Sequence, residues 1–228
     1  MIGILVALSI SWILLHLFEK KSILALGFFP ISQRLKQFGI GFLLTALLCI
    51  CVQFIETILK SSEWLINEKI NGKMVWDMFY WDLMSVLTED LIFRGAILFI
   101  LIKKLGTTKG ILISAIAFGI YHWFSFGIFG NIIPMFFVFI GTGLMGYVWA
   151  LAFSKTESMA MPIGLHLGWN FTFNTIFSHG PLGNGIILFE SEKVISDWFS
   201  LIGLWLVPLL VLILVKQFVS EKKIEFIK

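Results

Sequence analysis

Two acids and an arginine interrupt a long apolar stretch of the chain. Glu89, Asp90 and Arg94 fall within six residues, inside a run that is otherwise apolar enough to cross a membrane. An ionisable side chain at the centre of a membrane helix costs about 2.5–3.5 kcal/mol on insertion scales. Asp90 and Arg94 are spaced i,i+4 and can pair on one helix face. That pair leaves Glu89 unexplained, because it points about 100° away around the helix, so Glu89 is a candidate functional carboxylate.

Two histidines and an asparagine occupy comparable positions in other apolar stretches. His122 lies in one stretch, and His166 lies in another with Asn170 four residues later, on the same helix face. Taken alone, each histidine is more simply interpreted as a buried packing residue. His166 and Asn170 are likewise interpreted as a pair that forms an interhelical hydrogen bond with another helix, worth about 1 kcal/mol. A functional interpretation therefore depends on whether these side chains meet Glu89.

The depths of these residues in the membrane favour such a meeting. At 1.5 Å per residue, Glu89 lies about 20 Å and His122 about 18 Å from the inner ends of their predicted spans, and His166 about 10 Å. His166 is shallower, so convergence requires a tilt or a late start of its helix. Together the residues would supply a carboxylate, two imidazoles and an amide, a set that suits activation of water and stabilisation of an oxyanion.

The composition indicates the elements that position these residues. Hydrophobic residues make up 58% of the 228-residue chain and charged residues 14%, against about 25% charged in a soluble domain. This excludes an ordinary soluble enzyme, a disordered chain and a disulfide scaffold. We predict an all-α polytopic transmembrane helical bundle, a single membrane domain over 1–228 with a catalytic core over about 79–178. Seven spans (or eight) are predicted, at 1–18, 38–59, 79–102, 110–129, 132–153, 159–178 and 197–219.

The loops predict how the chain is oriented. With the N-terminus outside, the inner loops hold 12 basic residues and the outer loops hold 4, with Arg94 inside a span. This bias predicts a multi-pass protein of the cell membrane, with its N-terminus outside and its C-terminus cytoplasmic. The lipid bilayer is then a partner, and the net charge of +3 is too small to indicate nucleic acid. The stretch 60–78 is expected to hold a short interfacial helix.

Several other motifs do not indicate chemistry. Cys49 and Cys51 are interpreted as packing residues within an apolar run. Gly141-Thr142-Gly143-Leu144-Met145-Gly146 matches a dinucleotide fingerprint, but no strand precedes it, so small residues that allow close helix approach are expected instead. The sequence signatures of zincins, rhomboid-type serine proteases and presenilin-type aspartyl proteases are absent.

Three further polar residues lie near span ends. His16 and His179 are interpreted as interfacial. Glu56 has two interpretations, because it can either extend to the membrane surface or join the polar cluster.

Three motifs together resemble those of a known family. The CPBP family of CAAX-processing and bacteriocin-processing membrane proteases, also called the Abi family, has the pattern E-E-x-x-x-R, F-x-x-x-H and H-x-x-x-N or -D. The resemblance covers about 80–178 and has one departure, because Asp90 stands where the family usually has a second Glu. The corresponding residues here are Glu89-Asp90-x-x-x-Arg94, Phe118-x-x-x-His122 and His166-x-x-x-Asn170.

The resemblance implies an intramembrane endopeptidase with an α-helical fold. By this analogy Glu89 polarises a water that attacks the scissile carbonyl, and His122 assists. His166 and Asn170 would hold the tetrahedral oxyanion. In the same analogy, the supporting residues that orient the glutamate are Asp90 and Arg94.

The resemblance leaves the cofactor and the substrate open. Family members are often labelled metalloproteases, and zinc would take Glu89, His122 and His166 as ligands with one open position. A glutamate that ligates metal is not also a free base, and we favour a metal-free reaction. The expected substrate is a peptide or a membrane-protein segment, with a role in bacteriocin processing or self-immunity. The alternative is a non-catalytic membrane immunity or binding protein, or a small transporter, with a buried polar cluster.

Overall fold

Helices account for most of the fold. The computed structural model describes residues 2–191 and 198–219, and within them the chain forms eight α-helices. A 3-10 helix (Ile23–Leu26) follows the first, and a π-helical turn (Thr172–Ile176) extends the seventh. The helices are α1 (Ile2–Glu19), α2 (Ile31–Lys60), α3 (Gly72–Phe93), α4 (Ala96–Leu105), α5 (Thr107–Ser125), α6 (Ile132–Thr156), α7 (Ala160–Phe171) and α8 (Trp198–Phe218).

The outer surfaces of the helices are apolar. Large side chains such as Leu5, Leu43 and Ile133 are exposed on them, as expected where lipid is the solvent. Within the described residues, α1, α2 and α6 are long and apolar enough to cross a membrane, and α8 holds a shorter apolar run at Ile202–Phe218. The helical membrane fold is therefore confirmed. Each predicted span overlaps a helix, but the number of spans stays a prediction.

The predicted span 79–102 is wrong in one respect, because the chain forms two helices there. α3 ends at Phe93 and α4 begins at Ala96. A Cβ at Gly95 would collide with the carbonyl oxygen of Leu91, so glycine is required at the break. The hydroxyl of Ser114, on α5, donates to the freed carbonyl of Phe93 at 2.7 Å. The break thus has a partner for its exposed backbone, as a lipid environment requires.

The short interfacial helix expected in the stretch 60–78 is wrong, because this stretch holds a strand and the start of α3, and the helical fold carries one small strand pair. Two strands, β1 (Ser62–Ile66) and β2 (Ile187–Ser191), form an antiparallel pair in which Trp64 is opposite Phe189. α3 begins after Asn71, whose side chain accepts a hydrogen bond from the backbone N–H of Met74 at 3.0 Å. The sequence has too few alternating residues in each strand to indicate the pairing.

Glycines bring α7 against α2, and this contact positions the third motif. A Cβ at Gly164 would collide with the carbonyl oxygen of Phe38, and one at Gly168 with that of Phe42. Thr45 of α2 also donates a hydrogen bond to the carbonyl of Leu165 at 2.7 Å. Small residues at such spacing let membrane helices approach closely.

The start of α7 is fixed separately. The N–H of Met159 donates to the carbonyl of Leu26 at 3.1 Å, and the hydroxyl of Ser158 donates to that of Gly27 at 2.6 Å. Gly27 has a positive φ of 78°, and a Cβ there would collide with the carbonyl of Glu157. The segment after α1 therefore sets the level at which α7 begins.

The other small residues behave largely as predicted. A Cβ at Gly146 would meet the Phe118 ring at 2.9 Å, and Gly141 lies against the side chain of Leu204. The glycines of 141–146 therefore allow close helix approach. Cys49 is buried and packs in the interior, but Cys51 is exposed on the outer surface of α2, so its assignment as a packing residue was wrong.

Candidate active site

The acidic motif forms a fully buried ion pair. Asp90 and Arg94 have no exposed surface, and Arg94 Nη1 lies 3.3 Å from Asp90 Oδ1. The guanidinium carbon of Arg94 lies 3.8 Å from the centroid of the Phe118 ring. This is a cation–π contact, and it joins the first motif on α3 to the second motif on α5.

His166 lies between the two acids of the motif. Its Nε2 is 3.8 Å from Glu89 Oε2, and its Nδ1 is 3.5 Å from Asp90 Oδ1. The shallower depth expected for His166 is therefore compensated, and α7 meets α3 at the level of the acids. Both distances are longer than an ordinary hydrogen bond, so the contact is mainly electrostatic.

His122 reaches the same region from α5. Its Nδ1 is 2.8 Å from the carbonyl oxygen of Phe118. A carbonyl only accepts, so Nδ1 carries the hydrogen and donates it, and Nε2 is left as an acceptor when the ring is neutral. The Phe118 ring contacts both histidines, with centroids 4.4 Å from His122 and 6.3 Å from His166.

A cavity of about 590 Å³ unites the second and third motifs. His122, His166 and Asn170 all line it, while Glu89 is not part of its lining but lies 3.8 Å from His166. Three of the four predicted catalytic residues thus share one cavity, and the fourth contacts it through His166. The rest of the wall includes apolar side chains from four helices, namely Val52, Met145, Trp149, Trp169, Leu204 and Val207.

The buried charges are compensated without hydrogen bonds of ordinary geometry. Both carboxylate oxygens of Asp90, all three guanidinium nitrogens of Arg94 and Nδ1 of His166 lack a hydrogen-bond partner in the part of the chain that the structure describes. Burying polar atoms in this way costs free energy that a purely structural role would avoid. Such costly arrangements cluster at functional sites.

Comparison with known proteins supports the same region. Residues 71–172 match the Rce1-like family. That family is described as type II CAAX prenyl endopeptidase Rce1-like, and the match includes all three motifs. No curated protein and no solved structure matches the chain. The resemblance to CAAX-processing membrane proteases is confirmed, and the match supports an intramembrane protease of the CAAX type.

The Rce1-like region, residues 71–172, covers α3 to α7. Among its residues that contact the motifs without belonging to them are Ser85 and Trp149. Ser85 Oγ donates to Glu89 Oε1 at 3.4 Å, and the Trp149 ring stacks on His166 with centroids 6.0 Å apart. Ser85 lies four residues before Glu89, a spacing that the sequence displays. Trp149 lies on α6, and no local pattern relates it to His166.

Asp82 lies two turns before Glu89 but does not join the acidic cluster. It is almost fully buried, and its carboxylate accepts hydrogen bonds from Asn174 Nδ2 at 2.6 Å and Thr175 Oγ1 at 3.4 Å. Asn174 and Thr175 belong to the π-helical turn just after Asn170. Asp82 therefore ties that turn to the Rce1-like region.

The polar residues near span ends have different surroundings. His16 stacks on Trp12 with centroids 6.0 Å apart and is not part of the cavity lining. Glu56 lines the cavity, which favours the second of its two interpretations. His179 is exposed, as an interfacial residue would be, but it also lines the cavity.

The predicted zinc ligands do not form a metal site. Within residues 2–191 and 198–219, no three His, Cys, Asp or Glu side chains converge so that they could hold a metal ion. Glu89, His122 and His166 therefore do not fit the geometry of a three-ligand zinc centre. We derive no step through a metal.

Proposed function

We propose that the protein is an intramembrane endopeptidase in which Glu89 activates water for attack on a peptide bond. The observation that carries this proposal is the contact of Glu89 with His166 at 3.8 Å, because His166 lines the cavity together with His122 and Asn170. A water between Glu89 and the cavity would lose a proton to the carboxylate as it attacks the carbonyl carbon. The same proton would then pass to the leaving amine.

His122 assists the attack through Nε2. Because Nδ1 donates to the Phe118 carbonyl, Nε2 accepts a hydrogen bond from the attacking water or donates one once protonated.

His166 and Asn170 stabilise the oxyanion of the tetrahedral intermediate in different ways. Asn170 donates a hydrogen bond, whereas His166, whose two ring nitrogens face Glu89 and Asp90, contributes the positive charge of its protonated ring. His166 and Asn170 lie on one face of α7, and both line the cavity. The Asn170 side chain forms no hydrogen bond among the described residues, so its N–H groups are available to a developing negative charge. Removing one such donor typically lowers kcat by about 100–1000-fold.

Asp90 and Arg94 act through His166. Asp90 lies 3.5 Å from His166 Nδ1 and 3.3 Å from Arg94, and this favours an orientation of the ring in which Nε2 is directed at Glu89. The Asp90 side chain is shorter than the glutamate of the family pattern but still reaches both partners. The substitution is therefore compatible with activity.

The substrate that suits this cavity is a peptide or a membrane-protein segment with apolar side chains. The lining is mainly apolar and aromatic, and the helices lie in a bilayer that already concentrates such segments. The matched family's description names prenylated substrates, but no residue of the cavity specifically indicates a prenyl group. The physiological role that we propose is bacteriocin processing or self-immunity.

The test is cleavage by the purified full-length chain in liposomes. A library of apolar peptides is incubated with wild type, Glu89→Gln and Asp77→Asn, and products are identified by mass spectrometry. Asp77 is an exposed acid on the same helix, paired with Lys73, and is the matched control. We expect Glu89→Gln to lower kcat by about 10²–10⁴-fold, the typical contribution of a general base, with Asp77→Asn unchanged.

The same assay separates the alternatives. Full activity in a chelator supports the metal-free reaction, whereas loss that zinc restores would contradict it. A correctly inserted Glu89→Gln protein that retains full biological activity would favour the non-catalytic immunity or transport protein.

A further inference from the structure

A stripe of polar side chains extends the cavity away from the three motifs. The polar stripe consists of Gln53, Glu56 and Lys60 of α2 together with His179, and all four line the same cavity as His122 and His166. The three α2 residues are spaced i, i+3 and i+7, so they share one helix face. Lys60 is the last residue of α2, and Gln53 lies about 10 Å deeper along the helix axis.

Exposure decreases along the α2 part of the polar stripe, from the end of α2 inwards. The side chain of Lys60 is 32% exposed and that of Glu56 is 15% exposed, while His179, on another segment, is exposed beside Gln53. Gln53 is 1% exposed. The stripe therefore runs from the protein surface at the end of α2 into the interior.

The side chains of the stripe bond to one another. His179 Nε2 forms a hydrogen bond with Gln53 Oε1 at 3.0 Å, and Gln53 Nε2 donates to Glu56 Oε2 at 3.4 Å. Glu56 in turn pairs with Lys60. Because these groups are already partnered, they make a polar wall better suited to water than to capture of a charged ligand.

The other face of this part of α2 is apolar and faces away from the cavity. Ile50, Phe54 and Ile58 are exposed on the outside of the helix, where lipid would cover them. Charged residues within membrane helices face the bundle interior or a water-filled cavity. The hydrolysis proposed above consumes one water for each peptide bond, and that water has to cross an apolar layer to reach Glu89.

We infer that the polar stripe is the aqueous entrance through which water reaches His166 and Glu89, from the membrane side on which α2 ends. This inference rests on the proposed function for the use of the water, but hydration itself is measurable without catalysis. With the predicted orientation, that side is the outside of the cell.

The test places a thiol inside the cavity. Thr142, on the α6 wall, is replaced by Cys in a background with Cys49→Ala and Cys51→Ala, and a membrane-impermeant thiol reagent is added to either side of sealed vesicles. We expect labelling only from the side of Lys60. The double variant Glu56→Leu with Lys60→Leu should slow labelling by roughly tenfold, because charges no longer hold water in the entrance.

Two matched variants separate loss of the entrance from loss of the fold. Lys73→Leu with Asp77→Leu removes another i,i+4 pair, at the start of α3 and outside the cavity lining, and should leave the labelling rate unchanged. Glu56→Gln with Lys60→Gln keeps the wall polar and should label nearly as fast as the parent.

Labelling from the opposite side only, or an unchanged rate in the Leu double variant, would overturn the inference. So would slowing of all three double variants by the same factor. If the cysteine labels as expected but no variant or wild type cleaves any peptide, the proposed protease function fails and the entrance stands. If cleavage depends on Glu89 but the labelling rate does not depend on the polar stripe, the proposed entrance fails and the protease function stands.

Discussion

Two aspartates on the same helix are buried to a similar extent, but their charges are satisfied in different ways. Asp82 and Asp90 both lie on α3. Asp82 accepts hydrogen bonds from the neutral side chains of Asn174 and Thr175. Within residues 2–191 and 198–219, Asp90 has only charge contacts, 3.3 Å from Arg94 and 3.5 Å from His166, and its side chain forms no ordinary hydrogen bond.

The difference indicates that Asp82 has a structural role, whereas Asp90 belongs to the electrostatics of the site. A carboxylate whose lone pairs are filled by neutral donors fixes the position of a neighbouring segment. One that is compensated by an arginine and a histidine responds to any change of charge nearby, since the pairing energy depends on all three groups. In the sequence both are simply acids in apolar runs.

Asp90→Asn should have the largest effect on stability. It leaves the fully buried Arg94 without its partner, and breaking a buried pair typically costs about 3–5 kcal/mol. The measurement is unfolding in a denaturing detergent series, with Asp77→Asn as the control. Addition of Arg94→Met should recover much of the stability but not cleavage, because His166 still lacks Asp90. Recovery of full cleavage would remove the orienting role that we assign to Asp90.

Asn170→Ala should affect catalysis far more than stability. Its side chain forms no hydrogen bond among the described residues, so the folded protein loses little, whereas an oxyanion donor contributes about 2.7–4 kcal/mol to the barrier. Cleavage kinetics should show a lower kcat with KM nearly unchanged. A variant with normal kcat, or one that fails to insert, would contradict this assignment.

Asp82→Asn should have the smallest and most purely structural effect. The amide retains one acceptor oxygen, so one accepted hydrogen bond is lost, at about 1–3 kcal/mol for a buried group. Unfolding should shift accordingly, while kcat of the folded protein stays near the wild-type value. A large fall in kcat without destabilisation would place Asp82 among the reacting groups and remove its contrast with Asp90.

The sequence predicts the helices and the motifs better than their geometry. Charges in apolar runs indicate Glu89 and Arg94, and apolar length indicates the helices. The break at Gly95 could not be predicted, because a single glycine is tolerated in a helix. It is required here by collision with the Leu91 carbonyl, which only the folded chain reveals. The pairing of β1 with β2 joins segments far apart in the chain, and short strands carry little signal.

The convergence of His166 with Glu89 also required the structure. Counting residues leaves His166 about 10 Å shallower than Glu89. Contacts of Met159 and Ser158 with the segment after α1 set where α7 starts, and Gly164 and Gly168 set how closely it approaches α2. These contacts are made to the backbone of segments that are distant in the chain, and no local pattern specifies them. For the same reason, the sequence did not decide whether Glu56 extends to the membrane surface or joins the polar cluster, since this depends on contacts between helices.

Phe118 contacts all three motifs, although it takes no part in the chemistry. Phe118 has no reactive group, but its face lies against the Arg94 guanidinium, its ring is perpendicular to that of His166, and its carbonyl fixes the tautomer of His122. An aliphatic residue at this position would preserve hydrophobicity and the backbone bond, yet strip the cation of its π-electron neighbour. Phe118 therefore links the three motifs structurally, because it contacts a residue of each. Exchanging a single motif between homologous chains should consequently disturb the positions of the other two.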